Sequence, residues 1–274
     1  MTTTQKEMSF LDHLEELRWL LIRSAGAVFV FAIVAFLNIK YIFNHFIIVF
    51  KDPNFATYKF LCNLSKSFGS NGLCIEHLDF TIQSLKMSEQ FSAHIWLALT
   101  FGFILAFPYI LYEIWKFIKP ALYDNERKYA SVFILISSFL FFLGILFGFY
   151  IIAPLSINFL GNYSVSDDIE RNFKIASYIA IIKTAVLSSG LVFEMPIIIY
   201  FLAKMGLVTP EFLKKYRKYA FVLVLILAAV ITPPDVLSQI IVTIPMMILY
   251  EIGIIIAKVI VKNKLKEEKA LAKK

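Results

Sequence analysis

The chain has 274 residues, is 59% hydrophobic and only 17% charged, with a mean hydropathy of +0.74. That much apolar surface excludes a soluble domain, and the net charge of +7 is explained by loops on one membrane face rather than by nucleic-acid binding. The chain therefore reads as a polytopic helical membrane protein, one domain over residues 1–274.

Ser9 to Arg18 reads SFLDHLEELR. Phe10, Leu14, Leu17 and Leu21 form an apolar stripe at helical spacing. Ser9 with Asp12 approximates a capping box and marks a helix start. The expectation is an amphipathic segment, 8–18, lying on the membrane surface and running into a first span at 20–37. Its polar face carries Asp12, Glu15 and Glu16, where surface helices usually carry Lys and Arg against anionic lipid. That choice of charge points to a basic ligand. The N-terminus lacks a basic leader and a cleavage site, so the first span is read as retained.

A long polar cap follows at 38–89. It holds Cys62 and Cys74, twelve residues apart, with Gly69, Asn71 and Gly72 as turn material between them. Outside the cytoplasm such a pair either closes a small disulfide loop or stays as two unrelated thiols. Ser88 reads as the N-cap of the second span, 91–112. The third span is predicted at 130–160 and the fourth at 175–202. Pro108, Pro154 and Pro196 lie inside these three, each a kink a span tolerates. The fifth, 219–231, has 13 residues and so only ~20 Å of length. Thr232-Pro233-Pro234-Asp235 must break the helix, and Asp235 then caps a sixth span at 239–257, with Pro245 inside. A basic tail, 258–274, ends the chain.

The N-terminal segment, the 113–129 loop, the 203–218 loop and the tail carry 3, 4, 5 and 7 lysines or arginines; 38–89 and 161–174 carry 5 and 2. Positive charge gathers on the cytoplasmic face, so both termini are expected there. The fold class is thus all-α: six transmembrane helices, N-in and C-in.

Enzyme signatures are missing. There is no HExxH, GxSxG or Walker loop, and His13, His45, His77 and His94 sit at no metal-ligand spacing. No catalysis, metal or cofactor is expected. Glu194, in Gly190-Leu-Val-Phe-Glu-Met-Pro196, is an ionisable group deep in a span. Such groups usually face a cavity or a partner; the bland reading is a carboxyl near the membrane edge, or one kept protonated. Lys183 lies three turns earlier on nearly the same face. Asp235 is more often a cap than a proton carrier. Thr232 and Gln239 suit either polar contact with another transmembrane helix or the interface. Glu251 can snorkel or pair near the end of the sixth span. Trp19, Trp96 and Trp115 suit the interfacial belts. The loop WKFIKPALYDNER, 115–127, sets Glu126 and Arg127 among basic residues.

Four stretches together are distinctive: HLEELR at 13–18, PALYDNER at 120–127, FEMP at 193–196 and TPPDVLSQ at 232–239. With them the chain resembles the TatC family, the multi-spanning core subunits of the twin-arginine protein translocase, over nearly its whole length. The resemblance implies a glove-shaped bundle of six helices with the last two short. It also implies a receptor in the cytoplasmic (inner) membrane for paired-arginine signal peptides of folded precursors, with export driven by the protonmotive force. By position it assigns Glu16 and Glu126 to the arginines, and Arg18, Phe117 and Arg127 to the same patch. Glu194 becomes an intramembrane acid, Asp235 the acid of the far turn, and Thr232 and Gln239 docking positions for a partner helix. The implied partners are the single-span subunits TatA and TatB, further TatC copies and lipid, with no nucleic acid. Two departures stand out: Leu20 replaces a basic residue common in the family, and the outward segment, 38–89 with Cys62 and Cys74, is longer than in many relatives. The reading from another class is a proton-coupled secondary transporter relaying through Glu194 and Lys183. No internal repeat of the kind such transporters carry is found.

Overall fold

The computed structural model describes residues 10–67, 74, 80–118, 130–166, 168, 170–233 and 236–271. It is helical almost throughout. α1 is Phe10–Leu37, α2 Ala56–Ser67, α3 Glu89–Ile118, α4 Ala130–Phe147 and α5 Ala153–Asn162. α6 is Ile175–Phe193, α7 Met195–Lys204, α8 Pro210–Lys215, α9 Arg217–Ile231 and α10 Val236–Leu271. Among the described residues, five stretches are long and apolar enough to cross a membrane: His13–Leu37, Glu89–Ile118, Val132–Asn162, Ile175–Lys204 and Ser238–Lys264. α9 has 15 residues and thus ~22 Å of length, short of a ~30 Å hydrocarbon core.

α1 differs from the expected surface helix. It is one unbroken helix of 28 residues, ~42 Å long, so the acidic segment forms the first turns of the spanning helix itself. Leucine, glutamate and arginine propagate a helix well, and no proline interrupts them. Leu14, Leu17 and Leu21 are exposed. The buried positions of α1 lie further along, at Ser24, Ala32 and Ala35, while the mixed row Glu16, Trp19, Leu20, Arg23, spaced i, i+3, i+4, i+7, lines a pocket.

The prolines explain the later irregularities. Pro154 and Pro196 stand in the first turn of α5 and α7, where a missing N–H costs least. A π-helical stretch, Gly148–Ile152, absorbs the first interruption between α4 and α5. The second falls at Glu194, the shared cap of α6 and α7. The last helix outruns its span: α10 carries 36 residues, because the Lys-, Glu- and Ala-rich tail contains strong helix formers and no breaker. Trp115, expected at an interface, is buried and packs beside Phe133, ring centroids 4.8 Å apart.

The chain divides into two compact units, residues 1–42 with 91–139, and 43–90 with 140–274. In the first, α1 and α3 run antiparallel. They meet backbone to backbone at Gly102, where a Cβ would stand 2.7 Å from Val28 O and from Ala32 N. Toward the other end Phe36 stacks on His94, ring centroids 3.8 Å apart, and His94 Nε2 lies 2.9 Å from Phe36 O.

In the second unit α4 packs on α6 by the same device. A Cβ at Gly144 or Gly148 would stand 2.7 Å from Ser189 O or Ala185 O. Small residues let spanning helices meet backbone to backbone, where dispersion replaces the missing hydrophobic drive. α7 lies on α10 through Ile199, Ala203, Tyr250, Ile254 and Ala257. The Tyr250 hydroxyl donates to Leu213 O at 2.8 Å, and Arg217 pairs with Glu251 at 2.5 Å.

The cap is tied to this unit by phenols. Tyr178 donates to Ile47 O at 2.8 Å, and Tyr58 reaches Phe50 O at 3.0 Å and Pro154 O at 3.2 Å. Burial pushes the Tyr58 phenol well above the usual tyrosine range, which keeps it a neutral donor. Cys62 and Cys74 form a disulfide. β1 (Thr81–Gln83) and β2 (Asn172–Lys174) pair in parallel, Ile82 opposite Phe173.

Candidate functional site

The pocket at one end of the α1–α3 pair is the candidate site. α1 contributes Glu16, Trp19, Leu20 and Arg23; α3 contributes Glu113, Lys116 and Phe117. The cavity holds about 160 Å³, against ~30 Å³ for one water in bulk liquid. His13, one turn before Trp19's row begins, stacks on Phe117 with ring centroids 4.3 Å apart. That stack fixes the aromatic wall beside Glu16.

The electrostatics set the pocket apart. Glu16 and Lys116 are exposed, whereas Glu113 is buried. Its Oε1 accepts the Tyr109 hydroxyl at 3.0 Å, and its Oε2 faces Arg23 Nη1 at 3.5 Å. Arg23 also lies 5.9 Å from the Trp19 ring centroid, within the range of a cation–π contact. Among the described residues no hydrogen bond or ion pair engages the Glu16 carboxylate. One acid therefore stands open to a ligand, while a second, deeper one is held by an internal arginine.

The expected residues fall as follows. Glu16 and Phe117 come together here. Arg18 is exposed and does not line the cavity, since two residues along a helix turn it to another face. Glu126, Arg127 and Asp235 lie outside the described residues. Glu194 is buried in the other unit, at the break between α6 and α7; its carbonyl accepts the N–H groups of Ile197 and Ile198 at 2.9 and 3.0 Å. Thr232 is buried and its hydroxyl bonds Ala228 O at 2.9 Å; Gln239 Nε2 donates to Leu225 O at 3.1 Å. Both polar positions are thus engaged within the α9–α10 pair.

Arg23, Tyr109 and Glu113 were missed. Each interrupts an otherwise apolar run, and that is the signal that marks them: an ionisable residue inside a span rarely stands without a partner.

These features define a class: a multi-pass α-helical membrane protein with an acid-bearing pocket where two of its long helices meet. The family profile described as Sec-independent protein translocase protein (TatC) matches residues 12–245. A Sec-independent protein translocase protein TatC of Blattabacterium sp. subsp. Periplaneta americana (strain BPLAN) is 42% identical over 266 residues, 96% of this chain and 100% of that one. The chain belongs to the TatC family. The TatCy protein of Bacillus subtilis (strain 168) is 34% identical over 92% of this chain and 89% of its own. A crystal structure described as the twin arginine translocase receptor TatC aligns with a TM-score of 0.66 at 33% identity, covering 91% of this chain and 99% of that one.

Proposed function

We propose that this chain is the receptor and core scaffold of a twin-arginine translocase, binding paired-arginine signal peptides of folded proteins for export driven by the protonmotive force. The observation that carries the reading is Glu16: an open carboxylate beside the Phe117–His13 stack, in a pocket wide enough for a guanidinium. Arginine presents a planar donor fork that is always charged, and a carboxylate is its natural bidentate acceptor. The remaining assignments follow the family pattern: Glu126, Arg18 and Arg127 in the same cytoplasmic patch, Glu194 and Asp235 along the membrane path, Thr232 and Gln239 for a partner helix. The partners are TatA, TatB and further copies of the chain, in the cytoplasmic (inner) membrane with both termini inside and both compact units serving one membrane domain.

The test is binding of a synthetic signal peptide to the purified full chain. The affinity is expected to fall when the two arginines become lysines, and to fall again on Glu16→Ala or Glu126→Ala. An affinity indifferent to all three changes rules the receptor reading out.

A further inference from the structure

We propose that Glu113 is a further guanidinium acceptor in this pocket, and that Arg23 is its resident counter-ion, displaced when a ligand arginine enters. The proposal rests on the receptor reading and adds a residue, and a competition, to it.

The geometry of the pair carries the argument. Glu113 is a carboxylate on the wall of the cavity with its side chain only 6% exposed. Such a group cannot stay charged without donors around it. Among the described residues it has two: the Tyr109 hydroxyl on Oε1 and one nitrogen of Arg23 on Oε2. An ionised carboxylate has about four acceptor sites, so the set is incomplete. The Arg23 contact is also a poor one. It is single rather than forked and 3.5 Å long, against ~2.8 Å for a good charge-assisted bond. Arg23 itself is 44% exposed at the side chain, so Glu113 engages only part of its donor fork.

An arriving guanidinium can do better. Approaching through the cavity, it can present two parallel N–H groups, one to Oε2 and one to the second lone pair of Oε1, while the Tyr109 hydroxyl stays on the first. Arg23 then withdraws onto the Trp19 ring, whose centroid already lies 5.9 Å from its guanidinium. Glu16 lies on the same helix face, two turns before Arg23, and lines the same cavity, so two acids of unlike depth serve one entering basic pair. Lys116, exposed on the rim, adds a like charge that water screens. The arrangement makes arginine the preferred ligand over lysine, because only a fork gains from displacing a single-point contact.

The experiment measures, on full-length protein in detergent, the Kd of a fluorescent signal peptide bearing two consecutive arginines and of its two-lysine counterpart. Glu113→Gln is expected to weaken the arginine peptide about tenfold and the lysine peptide much less. Arg23→Gln is expected to tighten the arginine peptide several-fold. The double variant is expected to bind like Glu113→Gln, since removing a competitor is useless once the acceptor is gone. The proposal is overturned if Glu113→Gln leaves the Kd unchanged, or if both single changes weaken binding and the double restores it, the pattern of a purely structural tie. Should Glu113→Gln not yield monodisperse protein, Arg23→Gln decides: tighter binding supports the proposal, and unchanged or weaker binding overturns it. Failure of the receptor reading looks different, with wild type treating both peptides alike and Glu16→Gln without effect.

Discussion

Glu89 opens α3, yet its carboxylate accepts the backbone N–H of Ala176, in the first turn of α6, at 3.4 Å. The same carboxylate takes the N–H groups of Leu85 at 2.9 Å and Lys86 at 3.3 Å. One side chain thus satisfies free donors ahead of one helix and at the positive end of another. Glutamate, rather than the neighbouring Ser88, does this because its longer arm reaches both. Glu89→Gln keeps an acceptor oxygen and loses the charge, whereas Glu89→Ala loses both. The expected order of melting temperature in detergent is wild type above Gln above Ala. Equal values for wild type and Ala would show that water replaces the carboxylate at no cost.

Two glycines of the first unit separate packing from propensity. A Cβ at Gly102 meets the α1 backbone at 2.7 Å, whereas at Gly26 nothing lies within 4 Å. Gly102→Val therefore forces the helices apart, an overpacking that costs about 1–3 kcal/mol, and it displaces the walls of the pocket. Gly26→Ala fills open space within a helix and gains up to ~1 kcal/mol from backbone entropy alone. Thermal unfolding is expected to move in opposite directions for the two, and arginine-peptide affinity to fall only for Gly102→Val.

Much of this molecule is legible in its sequence, and the rest is hidden for a physical reason. A run of some twenty apolar residues has to span, so most spans follow from composition. The prolines at 154 and 196 mark their irregularities in advance, because a missing N–H must be placed somewhere. The sign of the charge marks Asp12, Glu15 and Glu16 together, acids where a surface helix wants bases; only the family resemblance singles out Glu16 among them. Arg23 and Glu113 were not found as a pair, because they lie 90 positions apart. Their meeting depends on which two helices pack and in what rotation, which a single chain's periodicity leaves open. The parallel pairing of Thr81–Gln83 with Asn172–Lys174 is hidden likewise. Strands of three residues carry no period to read.

Tyr58 is the hinge pin of the cap. Its hydroxyl lies between Phe50 O and Pro154 O, buried in an aromatic cluster that includes Phe50 and Phe55. Tyr58→Phe preserves the ring packing and strips the donor from two buried carbonyls. The expected cost is about 1–3 kcal/mol, with faster proteolytic cleavage of 43–67 as the cap loosens. A melting temperature within error of wild type would mean that those carbonyls find other donors.

The disulfide offers the last test, independent of any ligand. Cys62, within α2, is bonded to Cys74, twelve positions further along the chain. Closing a loop of that size removes freedom from the unfolded chain worth ~3 kcal/mol. Denatured, unreduced protein is expected to show no reactive thiol, and reduced protein two, since the chain has two cysteines in all. Cys62→Ser with Cys74→Ser is expected to loosen the cap while leaving arginine-peptide affinity unchanged, because among the described residues the pocket is lined by α1 and α3. A parallel loss of peptide binding would show that cap order reaches the pocket, and two thiols without reductant would show that the bond does not form.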